Sequence, residues 1–172
     1  AGGSAGTSTA GLAFAGVPGG PTASCESWNN TSWTTLNSLN DGRIGIGSAG
    51  VTNTAALAFG GDSPGNSAAT EKWDGTSWTI VNILNTARQY LSGAGTSTAA
   101  LAFGGSTGSA VAVTEKYDGT SWTEVSDLAT ARFELGGAGT TNTSVLAFAG
   151  QPPTEGLATT EAWTDPVYTI KT

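Results

Sequence analysis

The chain has 172 residues, 11% of them charged, with 13 acidic side chains against 6 basic ones for a net charge of −7. That balance argues against the nucleic-acid backbone and anionic membranes as partners, because neutralising phosphates takes clustered Lys or Arg and the sequence holds neither a basic cluster nor a basic stripe. Histidine is absent and Cys25 is the single cysteine, so His-based triads, histidine-ligated copper sites and an internal disulfide are excluded.

Taken in chain order, the first elements are a small-residue run, "GGSAGT", and an apolar pulse, Leu12-Ala13-Phe14. A polar loop, "VPGGPTAS", leads to a strand holding Cys25, Glu26 and Trp28, and Trp33 opens the next. Then the chain repeats itself. "GIGSAGV", Leu57-Ala58-Phe59, "TEKWDGTSWTIV" and Trp78 follow in the same order, then "LSGAGT", Leu101-Ala102-Phe103, "TEKYDGTSWTEV" and Trp122, and finally "LGGAGT", Leu146-Ala147-Phe148, Trp163 and Tyr168. The phenylalanines at 14, 59, 103 and 148 are 45, 44 and 45 residues apart. Self-similarity at a fixed period of this size is the signature of a repeat architecture.

Each copy reads as four short strands. Asp74-Gly75 and Asp118-Gly119, between runs rich in Thr, Val and aromatics, predict tight hairpins in which both residues take positive φ. No stretch sustains an amphipathic helical period, and the abundance of Gly, Thr and Ser disfavours helix. The expected fold is all-β: a β-propeller of four four-stranded antiparallel blades, about 1–43, 44–88, 89–132 and 133–172, in one domain spanning 1–172. The glycine-rich first strand of each copy is expected to line a crowded axis, where only small residues let backbones come close. In the last copy "WTDPVYTIKT" replaces "WDGTSWTEV", which reads as a decaying end of the array, whereas the first residue stands where a preceding Arg would be expected and reads as a cut.

The pattern from Arg88, "SGAGTSTAALAFGG" followed by "TEKYDGTSWTEV" and a further Arg, resembles the kelch repeat. Gly60-Gly61 and Gly104-Gly105 match its double glycine, with Ala15-Gly16 and Ala149-Gly150 as degraded forms, and Arg43, Arg88 and Arg132 match its arginine. The resemblance covers the whole chain and implies kelch-like blades. Its Thr/Ser/Gly-rich wording is further similar to kelch-like arrays of bacteriophage structural and tail-fibre proteins, which implies a virion or extracellular setting.

Glu26, Glu71, Glu115 and Glu161 recur once per copy, as do Trp33, Trp78 and Trp122 and the three arginines, so these are read as structural positions, the glutamates pairing with the arginines. A catalytic pair would need an asymmetry that a fourfold repeat does not supply; no catalytic residue, metal ligand or cofactor is expected. Cys25 stands where later copies carry Thr70, Thr114 and Thr160 and reads as a small buried thiol. The copies differ most in the loops after the double glycine, and strand alternation puts all of these on one rim. Asp62, Asn66, Ser106, Gln151 and Glu155 in those loops are the candidate ligand-binding residues. The function read from the sequence is a non-enzymatic structural or receptor-binding module of a virus particle that binds a cell-surface glycan or protein. An intracellular kelch-type adaptor and a ligand-free repeat spacer are the alternatives. With no apolar run of 18 residues, membrane insertion by a helix is not expected. A monomer is expected, a homo-oligomer being the alternative.

Overall fold

The computed structural model describes residues 2–17, 19–152 and 158–165. The first sheet is built from β1 (Gly3–Gly6), β2 (Gly11–Phe14), β3 (Cys25–Trp28) and β4 (Trp33–Leu36). The second holds β5 (Gly47–Thr52), β6 (Ala55–Phe59), β7 (Thr70–Trp73) and β8 (Trp78–Val81), and the third β9 (Ser92–Thr96), β10 (Ala99–Phe103), β11 (Thr114–Tyr117) and β12 (Trp122–Glu124). The fourth comprises β13 (Gly136–Thr141), β14 (Ser144–Phe148) and β15 (Thr160–Thr164) among the described residues. Every sheet is antiparallel with its strands in sequence order, and no helix occurs among the described residues. Tyr168 lies outside them.

The first strands of successive sheets pack on one another, β1 on β5, β5 on β9 and β9 on β13, giving a propeller-like succession of four sheets around a common line. Among the described residues β13 does not pack on β1 in this way. The sequence reading assigned the small residues of these strands to axial crowding, and the structure adds a second cause. Each strand lies under the phenylalanine of its own sheet: a Cβ on Gly3 would come 2.4 Å from the Phe14 ring, and one on Gly47 2.3 Å from Phe59. Crowding between sheets is also present, since a Cβ on Gly93 would meet the Phe59 ring of the preceding sheet at 2.3 Å and the Ser48 carbonyl at 2.8 Å.

Three apolar cores fill the three junctions between sheets, and all are made from equivalent residues. At the second junction Leu57 and Phe59 of one sheet meet Ala100, Ala102, Tyr117 and Trp122 of the next, with Leu84 and Leu91 from the connecting segment. Phe59 meets Trp122 edge to face at 5.0 Å, as Phe14 meets Trp78 at 4.8 Å. Such pairs add about 0.5–1.5 kcal/mol to the burial of the rings themselves. The two outermost faces have no sheet against them among the described residues. Phe148 is 39% exposed where Phe59 is 0%, and Trp33 is 52% exposed where Trp78 is 6%.

The Asp-Gly hairpins differ from the expected two-residue turns. Trp73 pairs with Trp78 and Tyr117 with Trp122, leaving four-residue loops in which only the glycine, Gly75 at φ 97° or Gly119 at φ 98°, has positive φ. The aspartate instead caps the loop: Asp74 Oδ1 accepts the N–H of Thr76 and of Ser77, both at 2.8 Å, and Asp118 Oδ1 accepts those of Thr120 and Ser121. In the first sheet Asn29 takes the aspartate's role and Asn30, at φ 71°, the glycine's.

Candidate binding site

Three buried arginines hold the segments that connect the sheets. Arg43 Nη1 donates to the carbonyls of Gly60 and Ala69, both at 2.8 Å, which are the two feet of the loop after the double glycine, and Nη2 donates to Glu71 at 2.8 Å. Arg132 does the same at Ala149, Thr159 and Glu161, while Arg88 meets Ala102 and pairs with Glu115. The second carboxylate oxygen receives the connecting segment itself, Asn40 N–H on Glu71 at 2.7 Å and Asn85 N–H on Glu115 at 2.7 Å. Burial pulls the Arg88 guanidinium below its ordinary value, and the carboxylate of Glu115 opposes that shift. The connecting backbone satisfies the second carboxylate oxygen of Glu71 and Glu115, whereas Nε of Arg43, Arg88 and Arg132 is buried without a hydrogen-bond partner, so these pairs keep part of their desolvation cost. Glu26 is exposed and has no arginine partner among the described residues.

Between Trp122 and Thr70 the indole Nε1 donates to the threonine hydroxyl at 3.1 Å. At the preceding junction Cys25 replaces that threonine, and Trp78 Nε1 is left without a partner that meets hydrogen-bond geometry. Cys25 is fully buried, and desolvation pushes its thiol above the ordinary value.

The loops after the double glycine pair with the residues that enter their own sheet: Asp62 with Ile44, Ser106 with Gln89 and Gln151 with Phe133. Asp62 accepts a hydrogen bond from Gly65 N–H, and Ser106 Oγ accepts one from Gly108 N–H at 3.2 Å, so both side chains brace their own loops. Asn66 is exposed, and Glu155 lies outside the described residues.

One residue further along from those partners stand Gly45, Tyr90 and Glu134, at φ 61°, 54° and 53°. Left-handed backbone is costly for a tyrosine or a glutamate, and here it is held by a relay of hydrogen bonds. Tyr90 N–H donates to Gly45 O at 2.6 Å and Glu134 N–H to Tyr90 O at 2.8 Å. The Tyr90 ring lies on Gly45, where a Cβ would come within 2.7 Å of it. These residues line a cavity of about 390 Å3 with Gly2, Ile46, Ser48 and Leu135, so all four copies of the repeat contribute. Phe133 flanks Tyr90 at 6.4 Å, and Gln151 Nε2 donates to Glu134 at 2.8 Å, which links one of the candidate loop residues to the cavity.

An aromatic ring, a carboxylate and glycine-rich walls suit a neutral ligand with hydroxyl groups, the ring stacking on an apolar face while the carboxylate accepts hydroxyl hydrogens. No group of three or more acidic or cysteine side chains able to hold a metal ion occurs among the described residues. The candidate residues of the sequence lie in the variable loops, whereas Tyr90 and Glu134 lie in the connecting segments. Both lie two residues after a recurring arginine, as does Gly45, a register that marks them as equivalent positions without showing what they meet. Neither the models of known protein families nor the curated proteins give a match to this chain.

Proposed function

We propose that this chain is a kelch-like β-propeller module without catalytic activity, a receptor-binding and structural part of a virus or phage particle that takes a neutral surface glycan at its axial cavity. The observation that carries the binding reading is the convergence of Tyr90 and Glu134, the latter hydrogen-bonded by Gln151, on a cavity to which all four copies of the repeat contribute. The rim loops themselves hold no aromatic ring for a sugar to stack on; Tyr90, half-buried in the connecting segment, supplies one beside them. The particle assignment rests on the resemblance of the repeat wording to phage kelch-like arrays.

The test is a glycan array probed with the wild-type chain and with Tyr90→Ala. At least one neutral glycan should bind, and Tyr90→Ala should weaken it about tenfold, a change of about 1.4 kcal/mol. Thr120→Ala, on a hairpin loop, should leave it unchanged. Equal binding by wild type and Tyr90→Ala, or no binding to any glycan, would refute the reading. A ligand-free spacer is favoured by one separate observation, the exposed sheet faces at both ends.

A further inference from the structure

The three junctions inside the molecule share one design. The trailing face of a sheet offers Leu and Phe from its second strand. The leading face of the next offers two small apolar residues of its second strand, Val145 and Ala147 at the third junction and alanines at the other two, with aromatics of its outer strands, Trp163 alone among the described residues at the third. Leu57 and Phe59 are wholly buried by this arrangement, and Leu101 and Phe103 nearly so. On the fourth sheet the same two positions, Leu146 and Phe148, are exposed. On the first sheet Trp33, equivalent to Trp78 and Trp122, is exposed as well. The chain therefore carries both halves of a fourth junction, and among the described residues nothing covers either.

We propose that a second copy of the chain fills them, the Leu146–Phe148 face of one copy seating the Trp33 face of the next in head-to-tail order. The inference does not rest on the glycan reading. It rests on the internal junctions, each of which already joins these two surfaces. Because the two halves differ, the contact is heterologous, so it propagates into a chain of copies unless the rotation closes a ring. It is also weaker than the internal junctions. The connecting segment that brings an arginine to Glu71, Glu115 and Glu161 has no counterpart at Glu26 among the described residues. Covering Trp33 and Phe148 removes two large apolar side chains from water, and that burial drives association.

Sedimentation velocity over a hundredfold concentration range tests this with four samples: wild type, Phe148→Ser, Trp33→Ser, and an equimolar mixture of the two variants. Wild type should associate reversibly as concentration rises. Each variant alone should stay monomeric, its association constant lowered at least tenfold. The mixture should form a heterodimer and stop there, because the Phe148→Ser copy keeps its Trp33 face, the Trp33→Ser copy keeps its Phe148 face, and each has lost the other end. Leu146→Glu provides a second disruption of the trailing face should Phe148→Ser fail to fold. Wild type that stays monomeric throughout would overturn the proposal and point to closure of the ring within one chain, or to further repeats, as what covers these faces. Variants that associate like wild type, or a mixture that stays monomeric, would overturn it too.

Discussion

The first and third sheets are copies of one repeat and differ sharply in what their equivalent residues do. Glu115 is buried between Arg88 and the Asn85 backbone, whereas Glu26, at the same place in the repeat, stands in solvent. Trp122 is wedged against Phe59 and bonded to Thr70, whereas Trp33 touches Trp28 of its own hairpin at 5.6 Å and is otherwise largely exposed. Gly104 occupies its left-handed position without strain, and Ala15 holds the same conformation at φ 59° with a Cβ. A repeat position has no fixed energetic value. Its value comes from the neighbouring sheet, and among the described residues the first sheet has none on its leading face.

The largest expected difference is between the two glutamates. Glu115→Ala strips a buried guanidinium of its counter-charge and should cost about 3–5 kcal/mol, whereas Glu26→Ala should lie within about 0.5 kcal/mol of wild type. Chemical denaturation of both variants measures this directly, and similar losses would mean that the arginine contacts do not govern the position. The double glycine comes next. Gly104→Ala forces a Cβ to within 2.6 Å of the Arg132 carbonyl in left-handed backbone and should lose at least about 1–2 kcal/mol. Ala15→Gly removes the same strain and should gain up to about 1 kcal/mol, the relief being offset in part by the added freedom of the unfolded chain. A loss at Ala15→Gly would show that its Cβ contributes packing that outweighs the strain.

The smallest effect is in the hairpins. The N–H groups of Ser77 and Thr76 hold the Asp74 carboxyl below the usual carboxylate range, and those of Ser121 and Thr120 do the same for Asp118. A carboxyl whose folded value is depressed stabilises the fold above its unfolded value near 4, and that contribution is lost as pH falls through the folded value. The melting temperature of wild type should therefore drop between about pH 5 and pH 2, and the drop should be shallower in the double variant Asp74→Asn, Asp118→Asn. Asn29 already caps the first hairpin without a charge, so substitution there should leave the slope unaltered. Identical slopes for wild type and the double variant would remove these caps from the account.

Strand positions and the repeat period were legible because period-two packing and hairpin chemistry are local properties of the chain. "LAF" marked each second strand, and Trp33, Trp78 and Trp122 marked the fourth strands of the first three sheets. The hairpin geometry was only half legible, since Asp-Gly specifies a turn but not whether the aspartate bends its backbone or lends its oxygen. The cavity residues were hidden for a different reason. Tyr90 and Glu134 come together through the stacking of β5, β9 and β13 around one line, and nothing in the local wording "RQYL" or "RFEL" encodes that neighbourhood. Nor could the repeat tell Trp33 from Trp122, because self-similarity describes a copy and not what lies beside it.

Arg43 and Arg132 each grip both feet of a loop through backbone carbonyls, Gly60 with Ala69 and Ala149 with Thr159. Carbonyl oxygens are the same whatever side chain a residue carries, so the grip is blind to the wording of the loop above it. Between those anchor points the polypeptide can be lengthened, shortened or rewritten while the sheets beneath keep their register. The molecule thereby separates the part that must stay constant from the part free to diversify, as a scaffold for grafted recognition segments requires.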